Sequence, residues 1–157
     1  KYQWLIGAQT ALPDCEDIKP SFGLMLGRVK KIGWYVKGVY SKVPDTDGSM
    51  EAEDYYAHWL TGKIKQSYWN ATAGFIARLW SPFHVYVGAG YSNRKVAWET
   101  FDGSYVKYEP DCYYGAVIEC GLMLKVKKFF INGGVMLNND SNNFKDRVGN
   151  FGIGMYF

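Results

Sequence analysis

The chain has 157 residues, of which 48% are hydrophobic, 18% aromatic and 21% charged, and its formal net charge is +3. This composition is too apolar for a disordered chain, and the length favours one domain, residues 1–157. No apolar run approaches the ~18–20 residues of a membrane-spanning helix, so a helical membrane protein is excluded. A membrane β-barrel is not excluded, because only every second residue of its strands faces lipid.

Apolar residues alternate with small or polar residues through nearly the whole chain, and this period of two predicts β-strands. The predicted strands, in chain order, cover residues 3–9, 21–27, 34–41, 69–79, 83–92, 115–124, 129–137 and 150–157. The number of strands, eight, is even, as is usual for an antiparallel barrel in which every strand returns beside the previous one.

The connections between the predicted strands fall into two classes. Three are short and four are long: the short ones lie at 29–32, 80–82 and 125–128, and the long ones at 12–20, 43–67, 99–111 and 138–147. Asp102-Gly103 predicts a hairpin tip inside the third long connection. All acidic residues except Glu119 lie in or beside the long connections, whereas the short turns hold only lysines as charged residues. Short turns at one end and long loops at the other are typical of outer-membrane barrels.

The two faces of the predicted strands differ in chemistry. One face carries Trp, Phe, Ile, Leu and Val, and the other carries Gly, Ser, Asn, Gln, Tyr and a few ions. Eight strands enclose a space only wide enough to be filled by side chains, so we assign the large apolar face to lipid and the small polar face to the lumen. Aromatic residues near strand ends are then expected to form girdles at the membrane interfaces: Trp4, Trp34, Tyr40, Trp69, Trp80, Tyr91 and Tyr156. The alternatives are a soluble lipocalin-like barrel and a β-sandwich core.

The alternation places a few ions in the predicted lumen. These are Lys37, Arg78 and Glu119, with His84 and Arg94 toward opposite ends. A buried charge is costly unless it is paired, so we expect Arg78 to meet Glu119 across the lumen. Gln3, Gln9, Asn70 and Asn132 are expected to complete a hydrogen-bonded plug around Glu119.

The chain has three cysteines. Cys15 lies in the first long connection and Cys112 begins the sixth predicted strand at the same end, so a Cys15–Cys112 disulfide is one prediction. An exported protein would permit its oxidation. Three free thiols are the alternative, and Cys120 is expected to face lipid.

No residue pattern demands catalysis or a metal. An enzyme needs a nucleophile, a base and an orienting group, and the chain has two histidines, His58 and His84. Ser49, Ser67 and Glu53 lie near His58 in sequence without a characteristic spacing. We therefore predict no catalytic residues, no metal, no cofactor and no nucleic-acid partner.

Two segments carry a resemblance to a known family. Residues 78–91, Arg-Leu-Trp-Ser-Pro-Phe-His-Val-Tyr-Val-Gly-Ala-Gly-Tyr, resemble the central hairpin of small outer-membrane β-barrel proteins of the Bacteroides type. Asn150, Gly152, Met155 and Phe157 are similar to the assembly signal of outer-membrane proteins. The resemblance implies insertion by the barrel-assembly machinery.

These observations predict an all-β, eight-stranded antiparallel up-and-down transmembrane β-barrel in the outer membrane of a Gram-negative cell, with periplasmic termini. Its expected contacts are outer-membrane lipid, lipopolysaccharide and another outer-membrane protein. The expected function is non-enzymatic: an accessory subunit of a larger outer-membrane complex with acidic, tyrosine-rich loops outside. The alternatives are a lipid A-modifying enzyme and a narrow pore.

Overall fold

The computed structural model describes residues 1–13, 21–41, 49–50, 60–108, 112–140 and 143–157. Within these residues the chain forms ten β-strands: β1 (Gln3–Pro13), β2 (Ser21–Val29), β3 (Ile32–Tyr40), β4 (Ser49–Met50), β5 (Leu60–Trp80), β6 (Phe83–Thr100), β7 (Tyr105–Tyr108), β8 (Tyr113–Val126), β9 (Phe129–Asp140) and β10 (Asn143–Tyr156). No helix long and apolar enough to cross a membrane occurs in the described part of the chain.

Eight of these strands close into a ring. Each pairs antiparallel with its neighbours in the order β1, β2, β3, β5, β6, β8, β9, β10. The ring closes where β10 returns to β1, with Ala8 opposite Ile153. The predicted fold, an all-β eight-stranded antiparallel up-and-down barrel, is therefore confirmed.

The remaining two strands lie outside the ring. β6 continues past its pairing with β8 and folds back through residues 101–104 into β7, where Trp98 lies opposite Val106. This confirms the predicted hairpin tip at Asp102-Gly103. β4 pairs in parallel with β7.

The start of β5 corrects a predicted boundary. The sequence predicted a connection as far as about residue 67, but β5 begins at Leu60 and pairs with the outer part of β6. Residues 61–67 lack an apolar alternation because this extension projects beyond the apolar part of the barrel. Pairing with β6, and not the burial of an apolar face, keeps this segment extended.

The barrel has two distinct ends. The start of β1, the end of β10 and three two-residue turns lie at one end of the barrel, which we call the termini end. The turns are at 30–31, 81–82 and 127–128. The backbone groups of Trp4 and Phe157 pair there at 3.0 Å. The opposite end, toward which β5, β6 and β7 project, is called the loop end.

The outward face is apolar, the reverse of a soluble protein. Large apolar side chains such as Leu24, Phe75 and Ile153 are 55–66% exposed. Trp4 and Trp34 pack outside near the termini end with ring centroids 5.9 Å apart. Outside and near the loop end, Trp69 and Tyr91 pack at 5.6 Å. An apolar band with aromatic residues at both margins is typical of a membrane-spanning barrel.

One predicted girdle residue lies elsewhere. Tyr156 is buried inside the barrel, where its ring packs on Phe130 with centroids 5.4 Å apart. The outward residues of β10 are Phe151, Ile153 and Met155, so the alternation of the strand turns Tyr156 inward. The prediction that it marks the membrane boundary was wrong.

Large side chains fill the lumen in layers. An apolar cluster occupies the termini side: Leu5, Met25, Val29, Tyr35, Ile76, Tyr86, Met123, Phe130 and Tyr156. A second occupies the loop side: Ala11, Val39, Tyr68, Val117, Met136 and Val148. Glycines provide the space for the rings, because a Cβ on Gly121 would lie 2.4 Å from the hydroxyl of Tyr86. The lumen therefore contains many large side chains, whereas the sequence predicted that small residues would line it.

Candidate functional site

A layer of polar side chains separates the two apolar clusters and has Glu119 at its centre. The Glu119 carboxylate forms an ion pair with Lys37 and accepts hydrogen bonds from Tyr35 Oη at 2.8 Å and Thr72 Oγ1 at 2.5 Å. Asn150 Nδ2 lies 3.5 Å from the second carboxylate oxygen. These partners come from β3, β5 and β10, so the side chain of one β8 residue links strands on different sides of the barrel.

Burial makes these contacts strong and obligatory. Lys37 and Glu119 are each only 4% exposed. Removing two charges from water is costly, and the attraction between them offsets that cost only when further hydrogen bonds satisfy the remaining polar atoms. Tyr35 and Thr72 supply those bonds to Glu119, so the pair is held in one geometry.

The network continues from Glu119 across the lumen. Tyr86 Oη donates to Asn150 Oδ1 at 2.5 Å, and Asn132 Nδ2 lies 3.4 Å from the same Tyr86 oxygen. Asn132 and Gln9 then bond reciprocally through their amides at 3.0 and 3.1 Å. With these residues, every strand of the ring except β2 contributes a side chain to one connected polar layer.

A second polar group lies toward the loop end. Tyr68 Oη donates to Asn138 Oδ1 at 3.1 Å, and Asn70 Nδ2 donates to Tyr68 Oη at 3.1 Å. Ser21 and Ser41 each donate to the Tyr68 carbonyl at 3.2 Å. This group fixes the tyrosine ring that fills the loop side of the lumen.

The predicted Arg78–Glu119 pair is wrong. Arg78 is exposed at the termini end, whereas Lys37 pairs with Glu119. Arg78 lies six residues beyond Thr72 on β5, which corresponds to roughly 20 Å along a strand. Sequence alternation assigns Arg78 to the correct face of the strand but gives no height along the barrel.

Other predicted lumen residues also lie away from Glu119. Gln3 is at the termini end, where its Oε1 accepts a hydrogen bond from Lys125. Arg94 is toward the loop end and donates to Gln66 Oε1 at 2.7 and 3.0 Å. Asn70 belongs to the Tyr68 group, while Gln9 and Asn132 lie in the Glu119 network.

Sequence reasoning missed Tyr35, Tyr86 and Thr72 as members of the network. Their alternation put them on the lumen face, but the predicted plug around Glu119 consisted only of charged and amide side chains. Asn150 was singled out for a different reason, as part of the assembly signal with Gly152, Met155 and Phe157. Its buried amide bridges Tyr86 to Glu119.

The candidate catalytic and cysteine residues are only partly described. His58, Glu53, Cys15 and the side chain of Ser49 lie outside the described residues. Among the described residues, no three His, Cys, Asp or Glu side chains are grouped as metal ligands would be. Cys112 Sγ lies 3.3 Å from the Val96 amide nitrogen, and the Cys15–Cys112 bond stays a prediction. Cys120 is exposed on the outward face.

The outward face carries a groove where small residues interrupt the large ones. Its small lining residues are Gly38, Ala71, Ala73 and Ala89 on β3, β5 and β6, and Leu24, Leu26 and Val36 line it beside them. The groove has a volume of about 510 Å³. An adjoining depression of about 430 Å³ shares Leu24 and Gly38 and continues to Tyr40 and Trp69.

The chain matches no protein-family model and no curated protein sequence. It is similar to the solved structure of Ail, the attachment invasion locus protein of Yersinia pestis, in complex with the heparin analogue sucrose octasulfate. The TM-score is 0.55 at 14% identity, over 99% of this chain and 96% of that one. Ail in a phospholipid bilayer nanodisc gives 0.57 at 14% identity, over the whole of both chains. This chain has the fold of the small eight-stranded outer-membrane barrels.

Neisserial surface protein A is also similar, with a TM-score of 0.49 at 15% identity over 99% of this chain and 96% of that one. At such identities the likeness concerns the fold alone. The Bacteroides type, inferred from residues 78–91 and the final residues, stays a prediction.

Proposed function

We propose that this barrel is an outer-membrane protein that acts as a non-enzymatic accessory subunit of a larger outer-membrane complex. In this proposal the termini end faces the periplasm and the acidic connections face outside, and lipid and lipopolysaccharide surround the apolar band. Two features support the membrane location: exposed leucine, isoleucine and phenylalanine side chains around the ring, and exposed aromatic residues at both of its margins.

The filled lumen is the observation that carries the proposal. Two apolar clusters and the polar layer between them occupy the interior. Glycines on the strands are required to leave space for the aromatic side chains inside. An eight-stranded barrel leaves space only for side chains or one small ligand. With the inside occupied by its own residues, the barrel has its outer surface and its projecting strands available for function.

The groove over Gly38, Ala71, Ala73 and Ala89 is the proposed contact surface, and its occupant is the membrane-embedded surface of another protein. Small residues promote association in a membrane because they let backbones approach closely, and packing drives association there. β5 and β6, which line the groove, are also the strands that project beyond the ring at the loop end. A partner seated in the groove could therefore contact the projecting hairpin as well.

The test compares two variants that each introduce a phenylalanine side chain, one in the groove and one on the far side of the barrel. Ala73→Phe fills the groove, whereas Val135→Phe enlarges an outward side chain on β9, across the ring. Affinity purification in a mild detergent from the native cell, followed by mass spectrometry, should recover the same outer-membrane protein with the wild type and Val135→Phe, but much less with Ala73→Phe. Equal recovery with all three, or no membrane partner with the wild type, would contradict the proposal.

Insertion by the barrel-assembly machinery is part of the same proposal. It rests on the resemblance of Asn150, Gly152, Met155 and Phe157 to the assembly signal. The Phe157 side chain is 71% exposed, so Phe157→Ala should reduce insertion in cells more than it reduces refolding into detergent.

A further inference from the structure

The termini end contains a cationic pocket that the proposed function does not use. Its volume is about 290 Å³, and its charged lining residues are Lys30, Arg78, Lys125 and Lys127. His84 closes its inner side and Gln3 contributes an amide. The pocket is therefore a concave site whose lining holds four cationic residues and no acidic one.

These cations lack acidic partners among the described residues. The ion pairs Lys37–Glu119 in the lumen and Lys63–Glu99 at the loop end both lie away from this pocket. The three short turns contain no acidic residue in the sequence. Like charges held together without counter-charges repel one another, and a bound anion would remove that repulsion.

The strand ends fix the backbone around the pocket. The Arg78 backbone nitrogen donates to the Lys31 carbonyl at 2.7 Å, and the Lys125 nitrogen donates to the Pro82 carbonyl at 2.9 Å. Arg78 and His84 are direct partners across the β5–β6 hairpin. The backbone of the pocket is therefore fixed by the barrel and needs no rearrangement to bind a ligand.

His84 lines the pocket together with Arg78 and Lys125. It is only 5% exposed. Its ring lies within the electrostatic field of Arg78 and Lys125, so its NMR signals are expected to respond to an anion bound beside them.

The conformation of Lys127 is consistent with this interpretation. Its φ is 56°, the left-handed region in which glycine and asparagine are favoured at tight hairpin turns. The chain has lysine at this position, so the turn keeps a cationic side chain at the mouth of the pocket.

We propose that this pocket binds a phosphate group. Arg78 and the lysines bind its anionic oxygens, and His84 lies beside them on the pocket wall. The phosphate belongs either to a soluble phosphate or to the headgroup of an anionic phospholipid in the neighbouring leaflet. Both sources present the same chemistry to the pocket.

The test uses the imidazole NMR signals of the full chain, because its only histidines are His58 and His84. In one arm the protein is refolded in a maltoside detergent that contains no phosphate, and inorganic phosphate is titrated at constant ionic strength. In the other arm phosphatidylglycerol replaces part of the phosphatidylcholine in a nanodisc. A saturable shift of the His84 signals in the first arm identifies a free phosphate site, and a shift confined to the second identifies a lipid headgroup site.

Three variants separate binding from folding. Arg78→Gln should weaken the phosphate response by about tenfold or more, since it removes a charge-assisted contact. Lys127→Gly should also weaken it while relieving the left-handed turn, so that a loss of binding cannot be attributed to a loss of folding. Lys63→Gln, at the loop end, should leave the response unchanged. No His84 shift in either arm, or the same shift in Arg78→Gln, would overturn the proposal.

Discussion

At the scale of single residues, the interior depends on one carboxylate. Glu119 pairs with Lys37 and accepts bonds from Tyr35 and Thr72, so each of these side chains is satisfied only while the others stay in place. Removing one partner leaves an uncompensated buried charge, whereas removing both charges does not. The pair is therefore a strong determinant of how the surrounding strands fit together.

Glu119→Ala should lower the free energy of unfolding by about 3–5 kcal/mol, because it leaves Lys37 charged and buried. The double variant Lys37→Met/Glu119→Gln should lose much less, since it buries no charge. Urea unfolding followed by tryptophan fluorescence measures both. Lys63→Ala, whose side chain is 75% exposed, is the control and should change little. Unchanged stability in Glu119→Ala would show that the pair does not stabilise the barrel.

A second prediction at this scale concerns the packing space beside Gly121. An added Cβ there would lie 2.4 Å from the Tyr86 ring and 2.5 Å from the Gly133 carbonyl. Gly121→Ala should therefore destabilise the barrel by about 1–3 kcal/mol. Gly133→Ala is the matched control, because its Cβ would have nothing closer than 3.8 Å. The same urea titration should find that control unchanged or slightly stabilised, and equal losses in both variants would refute the packing argument.

At the scale of elements, the β6–β7 hairpin tip is held by one aspartate. Asp102 accepts hydrogen bonds from Thr100 Oγ1, from Ser104 Oγ at 2.7 Å and from the Ser104 amide at 3.0 Å. The Thr100 hydroxyl, followed by the Ser104 bonds, lowers the pKa of Asp102 from 3.8 to about 2. The folded tip thus favours the charged carboxylate.

The sign of the pH dependence follows from that lowered pKa. The stabilisation of the tip is complete above the ordinary value near 3.8 and is lost as the pH falls through about 2. Asp102→Asn should therefore speed hydrogen exchange of the Ser104 amide at neutral pH, and the difference from the wild type should shrink near pH 2. A difference that stays constant with pH would contradict the role of the charge.

The strands also show what the sequence could and could not predict. Alternation identified the eight ring strands and assigned Lys37, Arg78 and Glu119 to the lumen face, because side chains that alternate with a period of two residues have only two faces to occupy. It could not predict that Lys37 and not Arg78 meets Glu119, since height in the barrel depends on the register between strands. The early start of β5 was missed because its polar extension buries no continuous apolar face.

At the scale of the whole molecule, the barrel is closed by its own side chains at several heights. Tyr35, Tyr86 and Phe130 are fully buried on the termini side of the polar layer, and Tyr68 is buried on its loop side. A path for ions would have to pass all of these rings. The ion pair in the middle is therefore one part of a filled core and not the only obstacle.

Planar-bilayer recordings can separate a filled core from a gated pore. The wild type should give no steady conductance. The variant Lys37→Ala/Glu119→Ala should also stay closed, because the aromatic residues on both sides of the polar layer remain in place. Its folding is checked by the difference in gel mobility between unheated and heated samples. If the ion pair were a gate, this variant would conduct while the wild type did not, and the narrow-pore alternative would then replace the accessory role.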